Sequence, residues 1–179
     1  MRYLPNGKQM SEADAHTIHK IGIPSLVLME RAALQIVETM HKKNISTEKS
    51  LIVCGSGNNG GDGFAVARLL TEQGKHADVL FAGREASFSE ECRCQKQIVE
   101  NMGISVFTEF PDEEYTVIID AVFGVGLCRE ITGHYKDVID WMNLQDTEKV
   151  AVDIPSGICA ATGEILGTAF RADLTVCMA

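Results

Sequence analysis

No apolar run in this chain approaches the roughly 20 residues needed to cross a bilayer. The opening stretch, MRYLPNGKQMSEAD, holds no apolar core of the kind a secretory leader needs. No membrane role is expected, and the chain reads as cytoplasmic. An excess of basic residues is missing too. Lys and Arg number 16 against 25 Asp and Glu, for a formal net charge of −9. Such a balance repels a phosphate backbone, so nucleic acid is not an expected partner. Paired cysteine motifs are also absent. Of Cys54, Cys92, Cys94, Cys128, Cys159 and Cys177, the only close pair is Cys92-x-Cys94, and neither a second pair nor a paired histidine motif follows it. That argues against zinc and for reduced thiols. Cys54 and Cys177 stand in apolar runs and read as small core residues. Repeats, low-complexity tracts and long linkers are lacking, so 1–179 reads as one domain.

What is present is an alternation of strand and helix patterns. Ser11 reads as the N-cap of a helix over 12–20, stopped by Gly22 and Pro24. Ser25 reads as the cap of a second helix reaching about Lys43, with Leu26, Met29, Ala33, Ile36, Val37 and Met40 on one stripe. That stripe suits either packing on a sheet or a dimer face, and a homo-oligomer is expected. Strands are expected at 51–54, 77–82, 105–108, 116–120, 150–154 and 174–178, and helices at 63–73, 87–102 and 134–143. The strands are continuously apolar (LIV, VLF, VII, VAV) rather than alternating, which marks a sheet covered on both faces. The expected fold class is therefore α/β with a mostly parallel sheet. An apolar strand at the very end of the sequence leads us to expect truncation at the C-terminal end.

The chemistry concentrates at three strand ends. The first strand opens into GSGNNGGDGF, with Gly55, Gly57, Gly60, Gly61 and Gly63 around Asn58, Asn59 and Asp62, read as a loop leading into a helix at Gly63. Strand, glycine loop and helix N-terminus together suit an anionic ligand. An ordinary NAD dehydrogenase also wants an acid at the end of the second strand. ADVLFAGR has Asp78 at the wrong end, and Gly83 and Arg84 follow, which disfavours that enzyme. The other two ends are DAVFGVGLCRE, with Asp120, and DIPSG, with Asp153 and Ser156. In a parallel sheet all three face one crevice. Asp62, Asp120 and Asp153 gathered there would repel one another unless protons or cations intervene. Asp120, Asn59 and backbone carbonyls suit a hard cation.

GSGNNGGDGFAVARLL (55–70), DAVFGVGL (120–127) and AVDIPSG (151–157), with Thr162-Gly163 after them, resemble the NAD(P)HX epimerase family, the YjeF N-terminal domain. GIPSLVLMERAA (22–33) and RADLTV (171–176) extend the likeness over nearly the whole chain. The resemblance implies a Rossmann-like three-layer α/β/α sandwich. It implies an isomerase that interconverts the R and S forms of hydrated NADH and NADPH in nucleotide repair. Substrate would meet Asn58, Asn59, Gly60, Gly61 and Asp62, the segment Gly124, Val125, Gly126, Leu127, Cys128, Arg129 and Glu130, and Asp153, with Asp153 as the catalytic group. A potassium ion (K+) would be held by Asn59, Asp120 and Ser156. The resemblance also implies fusion to, or cooperation with, an ADP-dependent dehydratase. The alternative is a non-catalytic nucleotide-binding or scaffold module of the same fold.

Overall fold

The computed structural model describes residues 7–178. The expected unit 1–179 runs past these limits, and residues 1–6 and 179 lie outside the described residues. Six parallel strands form one sheet: β1 (Lys49–Cys54), β2 (His76–Phe81), β3 (Val106–Phe107), β4 (Val117–Ala121), β5 (Glu148–Val152) and β6 (Leu174–Val176). Their order is β3-β2-β1-β4-β5-β6. The chain works outward from β1 to β3, then returns to lay β4 on the other flank of β1. The order reverses between β1 and β4, and a crevice opens beyond their carboxyl ends.

Successive strand residues point to opposite faces, and both faces are apolar. On one face Ile52, Val79, Ile119, Val150 and Val176 pack under α2 (Ser25–Lys42), α3 (Asn58–Glu72) and α4 (Glu90–Asn101), which contribute Ile36 and Met40, Phe64 and Leu70, and Val99. On the other, Leu51, Val53, Leu80 and Ile118 pack under Val138, Ile139 and Met142 of α5 (His134–Leu144). The three-layer α/β/α expectation holds. The stripe on α2 packs on the sheet: Met29, Ala33, Ile36, Val37 and Met40 are buried, and Leu26 alone of that stripe is exposed.

Several local expectations are corrected. α1 spans Gly7–His16 and runs into a π turn, Thr17–Ile21, that stops at Gly22 in the left-handed region (φ 86). Ser11 is inside that helix, where its hydroxyl donates to Gly7 O at 3.0 Å instead of capping. Ser25 is not a cap either. Pro24 holds the cap position of α2, and the Ser25 hydroxyl donates to Glu91 at 2.6 Å. α4 starts at Glu90 behind Ser89, whose Oγ accepts from Cys92 N at 3.2 Å. Cys54 is buried as expected, but Cys177 is exposed.

The largest correction concerns the glycine segment. It is not a loop up to Gly63: α3 begins at Asn58, straight after an extended Gly57. Gly60 and Gly61 are in its first turn because side chains do not fit there. A Cβ on Gly60 would lie 2.0 Å from the carbonyl oxygen of Gly55. A Cβ on Gly61 would meet the end of the Met29 side chain at 2.6 Å. The obstacle is rigid backbone in one case and a flexible thioether in the other. Gly60→Ala should therefore cost about 3 kcal/mol, and Gly61→Ala under about 1.5 kcal/mol. Urea denaturation midpoints of the two variants check the order, and equal losses would contradict it.

Candidate functional site

The site is built from the ends of β1, β4 and β5. Asp120, the fourth residue of β4, is fully buried. Its Oδ2 accepts from Ser156 N at 2.7 Å, and its Oδ1 accepts from the Ser156 hydroxyl at 2.6 Å and from Val122 N at 3.1 Å. Ser156 Oγ in turn accepts from Phe123 N at 2.9 Å. These bonds stitch the segment after β4 to the segment after β5. Burial pushes the Asp120 carboxyl up to about 6, and the Ser156 and Val122 donors hold it from going higher.

Asp153 follows β5 directly and takes a left-handed backbone conformation, φ 66. A branched-at-Cγ carboxylate tolerates that region better than bulky residues do, but it is still uncommon for anything other than glycine. The conformation is fixed on both sides. Asp153 N donates to Val176 O at 2.9 Å, and Asp153 Oδ2 accepts from Val125 N at 3.2 Å. A Cβ placed on Gly124 would be 3.0 Å from Asp153 Oδ2 and 3.4 Å from Asn59 Oδ1. Gly124 is thus the gap that lets the Asn59 amide and the Asp153 carboxylate approach the same point. Burial raises the Asp153 carboxyl above its usual range, against the donors Val125 N and Met178 N.

Asp62 lies one turn into α3, and its side chain makes no hydrogen bond among the described residues. Burial, then the charges of Asp153 and Asp14, push it up from the ordinary 3.8 to about 8. Asp14 comes from α1, a weakly amphipathic helix whose spacing marks no site and offers no reason to place it here. The buried thiols of Cys54 and Cys92 are shifted upward by burial, Cys92 to about 12, so neither is a nucleophile at neutral pH.

Asp14, Asp62 and Asp153 border one cleft of about 1410 Å³. Of the expected substrate residues, Asn58, Asn59, Asp62, Gly124, Val125, Gly126, Leu127, Cys128, Arg129 and Asp153 line it. Gly60, Gly61 and Glu130 do not. The two glycines are packing positions, and the Glu130 side chain approaches Gly167. Asp120 and Ser156 lie behind the lining, in the core. The sequence reading also passed over Tyr135, Cys177 and Met178, which line the cleft from α5 and the segment after β6.

Among the described residues no three His, Cys, Asp or Glu side chains group as metal ligands. A hard cation asks for a different set, oxygen donors with one or two charges. Asp120 is a fully buried carboxylate with no Lys or Arg partner among the described residues. Nδ2 of Asn59 is buried without a hydrogen-bond partner. Exchanging the amide oxygen and nitrogen would put an acceptor where that unpartnered nitrogen lies. A carboxylate lacking a counter-charge, a hydroxyl and an orphaned amide fit a hard cation in their chemistry.

Three comparisons place the chain among known proteins. A model of the family described as YjeF-related protein N-terminus matches residues 25–179. The NAD(P)H-hydrate epimerase of Limosilactobacillus reuteri (strain ATCC 55730 / SD2112) is 45% identical over 178 residues, 98% of this chain and 84% of that protein. That of Oenococcus oeni is 43% identical over 175 residues, 97% of this chain and 83% of that protein. The crystal structure of the yeast protein ynu0 superposes with a TM-score of 0.83 at 20% identity, covering 97% of this chain and 79% of the yeast chain, and shares its fold.

The raised Asp62 carboxyl makes stability depend on pH in a fixed direction. The folded state holds the Asp62 proton up to about 8, while the unfolded chain releases it near 3.8. Asp62 therefore destabilises the fold increasingly as pH rises between those values, and the penalty levels off above 8. Asp62→Asn should gain on the parent by no more than about 1.4 kcal/mol per pH unit across that window. Urea unfolding at pH 5, 7 and 8.5 measures it, and a pH-independent difference would sink the assignment.

Proposed function

The chain belongs to the family of YjeF-related N-terminal domains, and from that membership we propose that it is an NAD(P)H-hydrate epimerase, an isomerase acting in nicotinamide nucleotide repair. The observation that carries the site assignment is Asp153. It is a carboxyl raised by burial, held in a left-handed conformation and lining the cleft, with its charge near enough to Asp62 to raise that carboxyl in turn.

The reacting carbon of the hydrate bears a hydroxyl and the ring nitrogen. Its configuration is lost when the hydroxyl leaves as water and an iminium forms, or when the ring opens. Both routes need a proton delivered to a heteroatom and later withdrawn. Asp153 gives the proton to the departing hydroxyl and takes it back from the water that returns on the opposite face. A carboxyl whose pKa burial has moved toward neutrality is matched to both halves of that exchange. The first turn of α3 presents backbone N–H groups beside Asn58 and Asn59 and suits the diphosphate, with Arg129 as a cation on the facing loop. Potassium, held by Asp120, Ser156 and Asn59, would supply the positive charge that the buried Asp120 lacks. The chain would serve a dehydratase that uses only one epimer.

Mixing the protein with the R hydrate of NADH and following the R and S forms by chromatography tests the activity. The expected result is equilibration faster than in a protein-free control. Asp153→Asn should lower kcat by about a hundredfold or more with little change in substrate affinity. A variant with near-parental turnover would reduce Asp153 to a binding residue. Replacing potassium with sodium should slow the reaction, and equal rates in the two salts would remove the potassium assignment.

A further inference from the structure

A second cavity, of about 240 Å³, opens beyond the carboxyl ends of β2 and β3. Leu80, Thr108, Glu109 and Phe110 line it, and the first turn of α5 adds His134 and Asp137. It adjoins the main cleft. Tyr135 lines the cleft and the neighbouring His134 lines the smaller cavity, their rings 5.7 Å apart.

Its place in the sheet matters. Asp153 follows β5, and β2 is three strands away in the order β2-β1-β4-β5. At about 4.8 Å per strand that is roughly 14 Å. Between them lie the Asn58–Asp62 turn of α3 and the Gly124–Arg129 segment. A dinucleotide reacting at Asp153 with its diphosphate over these loops must carry its second base toward one flank. On the β2 flank a preformed cavity stands at the end of the path. The Phe110 ring, stacked on Trp141 at 4.9 Å, is braced on one face and still 43% exposed. Glu109 and Asp137 are exposed carboxylates beside it. They offer the acceptors for ribose hydroxyls that an acid at the end of the second strand supplies in dinucleotide folds, and which Gly83 and Arg84 do not.

We propose that this cavity receives the adenosine end of the substrate, with Phe110 against the base and Glu109 and Asp137 accepting from the ribose, and that it makes the enzyme prefer NADHX to NADPHX. A 2′-phosphate would meet two carboxylates, and among the described residues no Lys or Arg lines the cavity to offset them. This rests on the epimerase reading.

The test measures epimer exchange on three hydrates: those of NADH, NADPH and the reduced nicotinamide mononucleotide, which lacks the adenosine half. Exchange of none of the three would overturn the epimerase reading itself. Given exchange, the parent should favour NADHX over NADPHX in kcat/KM by roughly tenfold. Phe110→Ala should lower the ratio of kcat/KM for NADHX over the mononucleotide hydrate by roughly tenfold, with the change in KM. The exposed pair Glu109→Gln and Asp137→Asn should narrow the NADHX to NADPHX ratio, and their melting temperatures check that the fold is intact. An NADPHX preference in the parent, a dinucleotide-to-mononucleotide ratio untouched by Phe110→Ala, or an NADHX to NADPHX ratio untouched by the pair would each overturn the proposal.

Discussion

The bond set between Asp120 and Ser156 is the constraint on which the site depends. A carboxylate at zero exposure is costly unless donors surround it. Here three donors do so: the Ser156 hydroxyl, Ser156 N and Val122 N. All three come from segments just past the ends of β4 and β5. The carboxylate therefore fixes where both strands stop being strands. Everything the cleft presents from these segments, Gly124 to Arg129 on one side and Asp153 on the other, is set by that anchor. Ser156 also receives Phe123 N, so one hydroxyl closes both sides of the joint.

The second constraint is the approach of α3 to β1. Its axis passes so near the strand end that Gly60 rests on the Gly55 carbonyl and Gly63 on Ala121 and Cys54. Glycine in a helix interior costs about 1 kcal/mol per residue relative to alanine. Several in one turn make sense only where the gain is closeness. That closeness brings the first-turn N–H groups and the Asn59 side chain to the crevice, next to Gly124. Two glycines on different elements, Gly60 and Gly124, thus open one point to an amide and a carboxylate together.

Architecture was legible in the sequence because burial on both faces leaves a clear mark. LIV, VLF, VII and VAV read as two-sided strands, and the interleaved helical stripes set the order. The three converging strand ends followed from parallel strands alone. Boundaries were less legible where chemistry overrode propensity. Asn58 to Gly63 looks like a loop because glycine weakens helices, whereas packing against Gly55 makes it helix. Ser11 and Ser25 look like caps, yet one lies mid-helix and the other serves a tertiary bond to Glu91. Asp14 could not be placed in the cleft from the sequence, because α1 reaches it by its position in space and not by any pattern of its own. The left-handed Asp153 was equally hidden. Sequence marks glycine as the residue for that region, and only the pairing with Val176 and Val125 forces a non-glycine into it.

Asp14, Asp62 and Asp153 crowd one cleft in a protein of net charge −9, and on the proposed reading that cleft binds an anionic dinucleotide. The repulsion is eased where one of these acids holds its proton. Asp62 at about 8 is a neutral acid at pH 7 and adds no repulsion to a diphosphate. Its neutrality is caused by burial first and then by the charges of Asp153 and Asp14, so one of the charges that would repel the ligand is removed. Burial first, and then the charge of Asp14, also raise the Asp153 carboxyl above its usual range, against the Val125 and Met178 donors. On the proposed reading, burying Asp62 among other acids is thus a means of holding a proton in the cleft where a hydroxyl must leave as water. A single well-solvated aspartate there would stay ionised, bind the ligand worse and have no proton to give.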